Sequence, residues 1–192
     1  VHYQKKKQNL SSNHDNDDSI QIPVKCEEYC TKEFQQLNLR NSFNIVHSNI
    51  NGLQAKLDLF QEFLVSSPEL DVVAITETSY QVNDDFFSLN INLDSYSSFS
   101  IPTSTARGGT TIYIKSKHGA IERTDLNINN NHFEAVWCEI RNKKGKNIIC
   151  SSIYRHPHDQ LDIFSSFIEY MESTLQKLSK ENKEVYICGD FN

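Results

Sequence analysis

Nothing in the sequence approaches the roughly 20 consecutive apolar residues that a membrane-spanning helix needs, and no basic-then-apolar leader opens it. A soluble, unsecreted protein with no membrane partner is expected. Paired cysteines are lacking too. There are five, an odd number, and Cys138, Cys150 and Cys188 lie inside apolar strand-like runs as small core residues. That usage points to a reducing compartment. Cys26 and Cys30 have no second pair beside them, which argues against a zinc cage. An excess of basic charge is the third absence. At a net charge of −6 the chain cannot coat a polyanion by bulk attraction, so any polyanion it handles must be gripped locally.

What is present suffices for one core. With 192 residues and 38% hydrophobic content, one domain plus a tail is expected. Residues 1–25 read as a disordered polar tail: Lys5-Lys6-Lys7 and the run of Asn, Ser, Asp and His through Ser19 carry too little apolar surface to offset the entropy of ordering. The lysine run reads as solvated charge, with an import signal or a phosphate contact as alternatives. Residues 26–42 read as a linker or short helix carrying Phe34 and Leu37. The chain opens on Val1 and stops on Asn192, and both ends look like cuts.

Along residues 43–192 the periodicity alternates between strand and helix. Phe43 to Ser48 reads as a strand, and Leu57, Phe60 and Leu64 then fall at helical spacing over residues 55–66, closed by Pro68. Asp71 to Thr78 is a near-continuous apolar run, as in a strand covered on both faces. Asn83 to Ser100 is polar and irregular. Arg107-Gly108-Gly109 then leads into a strand over 110–115, either cradling a phosphate on its backbone amides or simply making a tight turn. Strands over 120–126 and 132–140 follow. The charged turn Arg141 to Lys146, a DNA contact or merely a solubilising tip, makes a hairpin into residues 147–154. After Pro157, the residues Leu161, Phe164, Ile168, Met171, Leu175 and Leu178 predict a helix with that face on a sheet, capped by Asp159 and with Asp162 in its first turn. The last strand runs from Glu184 into Gly189-Asp190-Phe191-Asn192, where alternation puts Asp190 and Asn192 on one side and turns Phe191 into the core. Strand-helix-strand thus occurs twice, with antiparallel strands between: an α/β layered fold with helices outside two sheets.

The strands of the two units end on Asn49 (with Asn51), Glu77, Tyr154 and Asp190 (with Asn192). Ligand clefts in open α/β sheets form at the carboxyl ends of strands, so these groups are expected to converge. Each has a bland alternative: Glu77 as a solvated strand-end acid, Tyr154 as a half-buried sheet residue, Gly189-Asp190 as an ordinary turn. A hard cation such as Mg²⁺ prefers oxygen ligands and is commonly held by one or two carboxylates, a number that Glu77 and Asp190 supply.

Ser48-Asn49-Ile50-Asn51-Gly52-Leu53, Ala74-Ile75-Thr76-Glu77-Thr78, Ile153-Tyr154-Arg155-His156-Pro157 and Gly189-Asp190-Phe191-Asn192 resemble, in order and spacing, the endonuclease/exonuclease/phosphatase superfamily. More narrowly, the chain resembles the apurinic-type endonuclease domain of non-LTR (LINE-type) retrotransposon polyproteins. The resemblance covers residues 43–192 and draws its specificity from the final motif and the Glu77 motif together. It implies a four-layered α/β sandwich, two β-sheets flanked by helices, incomplete at the C-terminus. It implies Mg²⁺, or alternatively Mn²⁺, held by Glu77 with Asn49, which also serves the substrate phosphate. By the same resemblance Asp190 orients and deprotonates the attacking water, Asn192 hydrogen-bonds the scissile phosphate and Tyr154 donates to a phosphate oxygen. The implied reaction is nicking of DNA in the nucleus to prime reverse transcription, with a reverse transcriptase domain further along the same polyprotein. The alternatives are a phosphatase of the same fold and a catalytically dead remnant that binds nucleic acid or a partner.

The chain also departs from the family pattern. The family's second aspartate and its Ser-Asp-His element follow Gly-Asp-Phe-Asn, where this chain stops. His156 and His158 read as rim or loop residues, and Asn51 stands where related repair enzymes carry aspartate. With later strands of the second sheet missing, the edge near Asp190 is expected to be unstable or sticky. Loss of a general acid or base typically costs about 10² to 10⁴ in rate, so the 192-residue chain alone is expected to be inactive.

Overall fold

The computed structural model describes residues 31–39, 42–67, 69–81, 93–105, 107–142, 145–157 and 160–192. The expected tail lies outside them, as do Cys26, Cys30, Pro68, His158 and Asp159. The elements, in chain order, are α1 (Thr31–Gln35), β1 (Ile45–Asn49), α2 (Leu57–Ser66), β2 (Val72–Thr76), β3 (Tyr96–Ile101), β4 (Thr110–Lys115), β5 (Ile121–Glu122), β6 (Ile128–Asn129), β7 (Phe133–Ile140), β8 (Ile148–Arg155), α3 (Leu161–Ser179) and β9 (Glu184–Asp190). The first sheet has the order β1-β2-β4-β3, the second β5-β7-β8-β9 with β6 also paired to β7. Within them β1–β2 and β8–β9 are parallel and every other pair is antiparallel. The two parallel pairs are the repeated strand-helix-strand units, since a parallel pair needs a crossover and α2 and α3 supply it.

Period-two alternation sorts the buried residues into three apolar layers. Val73, Ile75 and Tyr113 on the outer face of the first sheet pack with Phe60 of α2 and Phe34 of α1. Val72, Ile112 and Ile114 meet Val136, Cys138 and Cys150 between the sheets. Phe133, Ala135, Trp137, Ile149 and Ile153 on the far face of the second sheet receive Phe167 and Leu178 of α3. Helix, sheet, sheet and helix therefore stack as four layers, the α/β sandwich that the motifs implied. Among the described residues Cys138, Cys150 and Cys188 are free; the first two are buried in this core, and burial pushes the Cys188 thiol up to about 11.

Three expectations are corrected. Of the expected row on helix α3, Leu178 is buried and Met171 packs against the core, but Leu161, Phe164, Ile168 and Leu175 are exposed, and Ile163, Phe167 and Thr174 are buried in their place. The helix carries two adjacent apolar rows, and the choice between them falls to Trp137. Its fully buried indole N–H needs an acceptor and finds the Tyr170 hydroxyl at 2.7 Å, which itself donates to the Leu126 carbonyl at 2.8 Å. The cap position is Gln160, with no side-chain cap bond. The expected strand over 120–126 shortens to β5, because Arg123 to Leu126 turn back on themselves through the Leu126 N–H to Arg123 carbonyl bond. Residues 96–100, which read as irregular, belong to β3, a half-buried edge strand beside β4.

At the end of the second sheet opposite Tyr154 and Asp190, Arg123 joins Asp125, Glu139 and Glu181, while Lys183 bridges Glu139 and Glu181 at 2.6 Å each. The Arg123 guanidinium draws the Glu181 carboxyl down to about 2. A carboxyl whose folded pKa lies below its unfolded value, about 4.3, stabilises the fold above that value and loses the contribution as pH falls through about 2. Urea midpoints measured at about pH 5 and about pH 2 are therefore expected to fall less in Glu181→Gln than in the wild-type chain.

Candidate active site

At the carboxyl ends of the strands the space between the sheets turns from apolar to polar. The Thr110 hydroxyl donates to the Ile75 carbonyl at 3.1 Å and lies 2.6 Å from Ser152, whose own hydroxyl donates to the same carbonyl at 3.2 Å. Two residues further along β8 the Tyr154 hydroxyl donates to Glu77 Oε1 at 2.9 Å. One residue past β1–β2 pairing, therefore, a side chain of the second sheet holds a carboxylate of the first. Burial, and after it the hydrogen bond to Glu77, raises the Tyr154 phenol well above its ordinary value, so it remains a donor.

Glu77 is held from three sides. Its backbone lies at φ 53, in the left-handed region that non-glycine residues seldom adopt. Its carbonyl accepts from Gly52 N at 2.7 Å, while Leu53 N donates to the Thr78 carbonyl at 3.0 Å. On the opposite flank Thr78 N and Ser79 N donate to the Gly109 and Gly108 carbonyls at 3.2 and 2.8 Å. Such strain persists where its surroundings over-determine it, and it clusters at functional sites. The Gly108-Gly109 turn, at φ 123 and 78, thus offers its carbonyls to the Glu77 loop.

Asp190 closes the other side. Asn49 Nδ2 donates to Asp190 Oδ2 at 2.8 Å across 141 positions of sequence, and Asn192 N donates to Asp190 Oδ1 at 3.2 Å. Asn49 Oδ1 accepts from Asn51 N at 3.1 Å and keeps a further lone pair. Tyr154 and Asp190 are direct partners in the β8–β9 pairing. Asn49, Glu77, Tyr154 and Asp190 therefore meet around one cleft. Asn192 is placed differently: at φ 36, past the end of β9, its amide donates to the Arg155 carbonyl at 2.6 Å. Alternation no longer applies there. Phe191, expected in the core, is 41% exposed and leans on Phe167, because Arg155 Nε draws its carbonyl in at 2.6 Å.

Two groups at this site escape a reading of strand ends. His47, in the middle of β1, sits 3.2 Å from the Thr76 hydroxyl; burial lowers its pKa against the upward pull of the Asp190 carboxylate. Glu134 is fully buried on β7, directly opposite Tyr154, and bonds His156 at 3.0 Å. His156 is thus buried rather than on a rim, held also by its N–H to the His132 carbonyl at 2.8 Å. The missed signal was a charge inside the apolar run Phe133-Glu134-Ala135-Val136.

The donor set fits a hard cation. Glu77 Oε2 accepts no hydrogen bond among the described residues, Asp190 is a carboxylate, and Asn49 adds an amide oxygen. No group of three or more His, Cys, Asp or Glu side chains that could cage a metal forms among the described residues.

Comparison with known proteins bears on the family and the fold. The model of the Endonuclease/Exonuclease/phosphatase family matches residues 38–192, and the chain belongs to that family. No curated protein sequence matches it. Among solved structures it is similar to the human Nocturnin catalytic domain with bound sulfate (16% identity, 78% of this chain, 64% of that one, TM-score 0.59). It is also similar to the Xenopus laevis APE2 catalytic domain (18%, 77%, 58%, TM-score 0.56). A third is the endonuclease domain of TRAS1, a telomere-specific non-LTR retrotransposon (16%, 77%, 58%, TM-score 0.52). At these identities the likeness is one of fold. The chain spans 58 to 64% of the length of these structures.

Proposed function

We propose that this chain serves Mg²⁺-dependent hydrolysis of DNA phosphodiesters, as the nicking module of a non-LTR retrotransposon polyprotein. The observation that carries the reading is the meeting of four strand ends through the Asn49–Asp190 and Tyr154–Glu77 bonds. The motif set favours DNA over other phosphoesters, while the fold, shared with both the TRAS1 endonuclease domain and the 2',3'-cyclic phosphatase ANGEL2, is compatible with either. Glu77, assisted by Asn49, would hold Mg²⁺ or Mn²⁺, which when bound neutralises charge on the phosphate and the leaving oxygen.

The remaining roles belong to this chain's own groups. Asp190, oriented by Asn49 and by Asn192 N, accepts the proton of the attacking water. Tyr154 turns its proton from Glu77 toward a phosphoryl oxygen, where a neutral donor is required. Asn192 lies beside the scissile phosphate once its amide leaves the Arg155 carbonyl. The nick exposes a 3′-hydroxyl that primes a reverse transcriptase domain of the same polyprotein, which locates the activity in the nucleus.

Supercoiled plasmid tests this directly. The product of the gene's whole reading frame is expected to convert it to open circles in Mg²⁺, and its Glu77→Ala variant to leave it supercoiled. Phosphate release from a phospholipid headgroup by that product, with the plasmid untouched, would transfer the reading to the phosphatases of the fold. Binding of plasmid with neither reaction would leave a nucleic-acid-binding remnant.

A further inference from the structure

We propose that the buried Glu134–His156 pair, seated on Gly108, is the positioning element that fixes the Tyr154 phenol against Glu77. The inference deepens the nuclease reading and rests on it for the role of Tyr154, though not for the placement of that side chain.

The geometry forms a stack running inward from the Gly108 turn. Glu134 and Tyr154 are paired opposite each other on β7 and β8, and His156 follows two residues on, so all three project from the same face of the sheet. The His156 ring stands edge-on to the Tyr154 ring, with centroids 4.9 Å apart and planes at 74°. Behind it, Glu134 Oε1 takes the imidazole Nε2 at 3.0 Å. Gly108 closes the back: a Cβ there would lie 2.8 Å from His156 Cε1 and 2.9 Å from Glu134 Oε1. The ring therefore has little freedom to move away from Tyr154.

The cost of this arrangement argues for a purpose beyond packing. Glu134 is 0% exposed, and among the described residues its Oε2 has no hydrogen-bond partner. A carboxylate in that state is expensive, and an apolar pair of similar volume would fill the space at lower cost. Buried atoms left unsatisfied call for a specific explanation. Here the explanation is orientation: an imidazole locked by a carboxylate presents one edge to the phenol, which an aliphatic side chain cannot do. The same Gly108 holds the other partner of the phenol, because its carbonyl accepts from Ser79 N two residues after Glu77. Donor and acceptor are thus registered from one turn.

The test labels the tyrosines of the 192-residue chain with ¹³C at Cζ and assigns Tyr154 by Tyr154→Phe. Glu77→Gln gives the signal position of a phenol without its carboxylate acceptor. His156→Ala is expected to move the Tyr154 signal in that direction, and Glu134→Gln, which keeps an acceptor for the imidazole, is expected to leave it near the wild-type position. If His156→Ala does not fold, His156→Gln takes its place, keeping a donor for Glu134 while removing the ring edge. A Tyr154 signal unmoved in a folded His156 variant overturns the proposal. In the nicking-competent protein His156→Ala is expected to lower kcat by up to about 10²-fold, the scale of a misplaced catalytic group, with KM unchanged and no further loss in the Tyr154→Phe background. A displaced signal without any loss of kcat supports the positioning and counts instead against the catalytic role of Tyr154.

Discussion

Glu77→Ala is expected to abolish divalent-cation binding by this chain, read as the loss of free Mn²⁺ depletion in an electron paramagnetic resonance titration. The carboxylate stands at the point where three backbone segments converge, and its left-handed backbone is fixed by the Gly52, Thr78 and Ser79 bonds. Alanine at φ 53 would retain the strain and lose the ligand. In the nicking-competent protein the same substitution is expected to cost roughly 10³-fold in kcat, since a Lewis-acid contribution of several kcal/mol disappears. Tyr154→Phe is the informative companion. It removes the donor to Glu77 Oε1 and leaves the carboxylate in place, so Mn²⁺ binding is expected to survive while the rate falls. Undiminished Mn²⁺ binding by Glu77→Ala would mean that the cation sits elsewhere, and the assignment of Glu77 would be abandoned.

Much of this site was readable before any coordinate, because it lies where strands end, and strand ends are where periodicity breaks. Val72 to Thr76 is buried throughout and stops one residue before Glu77; Ile148 to Arg155 carries Tyr154 near its end in the same manner. The two parallel pairs followed from the two strand-helix-strand units. What alternation does not encode is rotation about a helix axis that has two apolar rows, and α3 chose its row through the Trp137 indole and Tyr170, 33 positions apart in sequence. Nor does it encode the continuation of a chain beyond its last ladder bond, which is why Phe191 and Asn192 turned out differently from a period-two reading. Glu134 was passed over for a third reason. A carboxylate buried opposite the Tyr154 phenol makes sense only once the partner strand and its register are known.

Gly189→Ala is expected to be among the most damaging single-methyl additions in the chain. The alternative reading of Gly189-Asp190 as an ordinary turn does not hold, since Gly189 lies inside β9, paired with Ile153 of β8 one position before the Tyr154–Asp190 pair. A Cβ built there would press into the Ile153 carbonyl oxygen and lie 2.9 Å from its carbon. Those are backbone atoms of a central strand, so no rotamer change relieves the clash, and β9 must move away from β8. Overpacking of this kind costs typically about 1 to 3 kcal/mol, and a loss at the top of that range is expected in urea unfolding. Gly119→Ala is the matched control: its φ of 59 is left-handed, but nothing lies within 4 Å of the added methyl, so its cost is confined to backbone strain of about 1 kcal/mol. The two variants also part at the site. Displacing β9 carries Asp190 away from Asn49 and breaks a 2.8 Å bond, so Gly189→Ala is expected to weaken Mn²⁺ binding in the fraction that still folds, whereas Gly119→Ala leaves it unchanged. Equal stability losses in the two variants would show that β9 accommodates the methyl without shifting, and that Asp190 is not held in place by the closeness of its strand to β8.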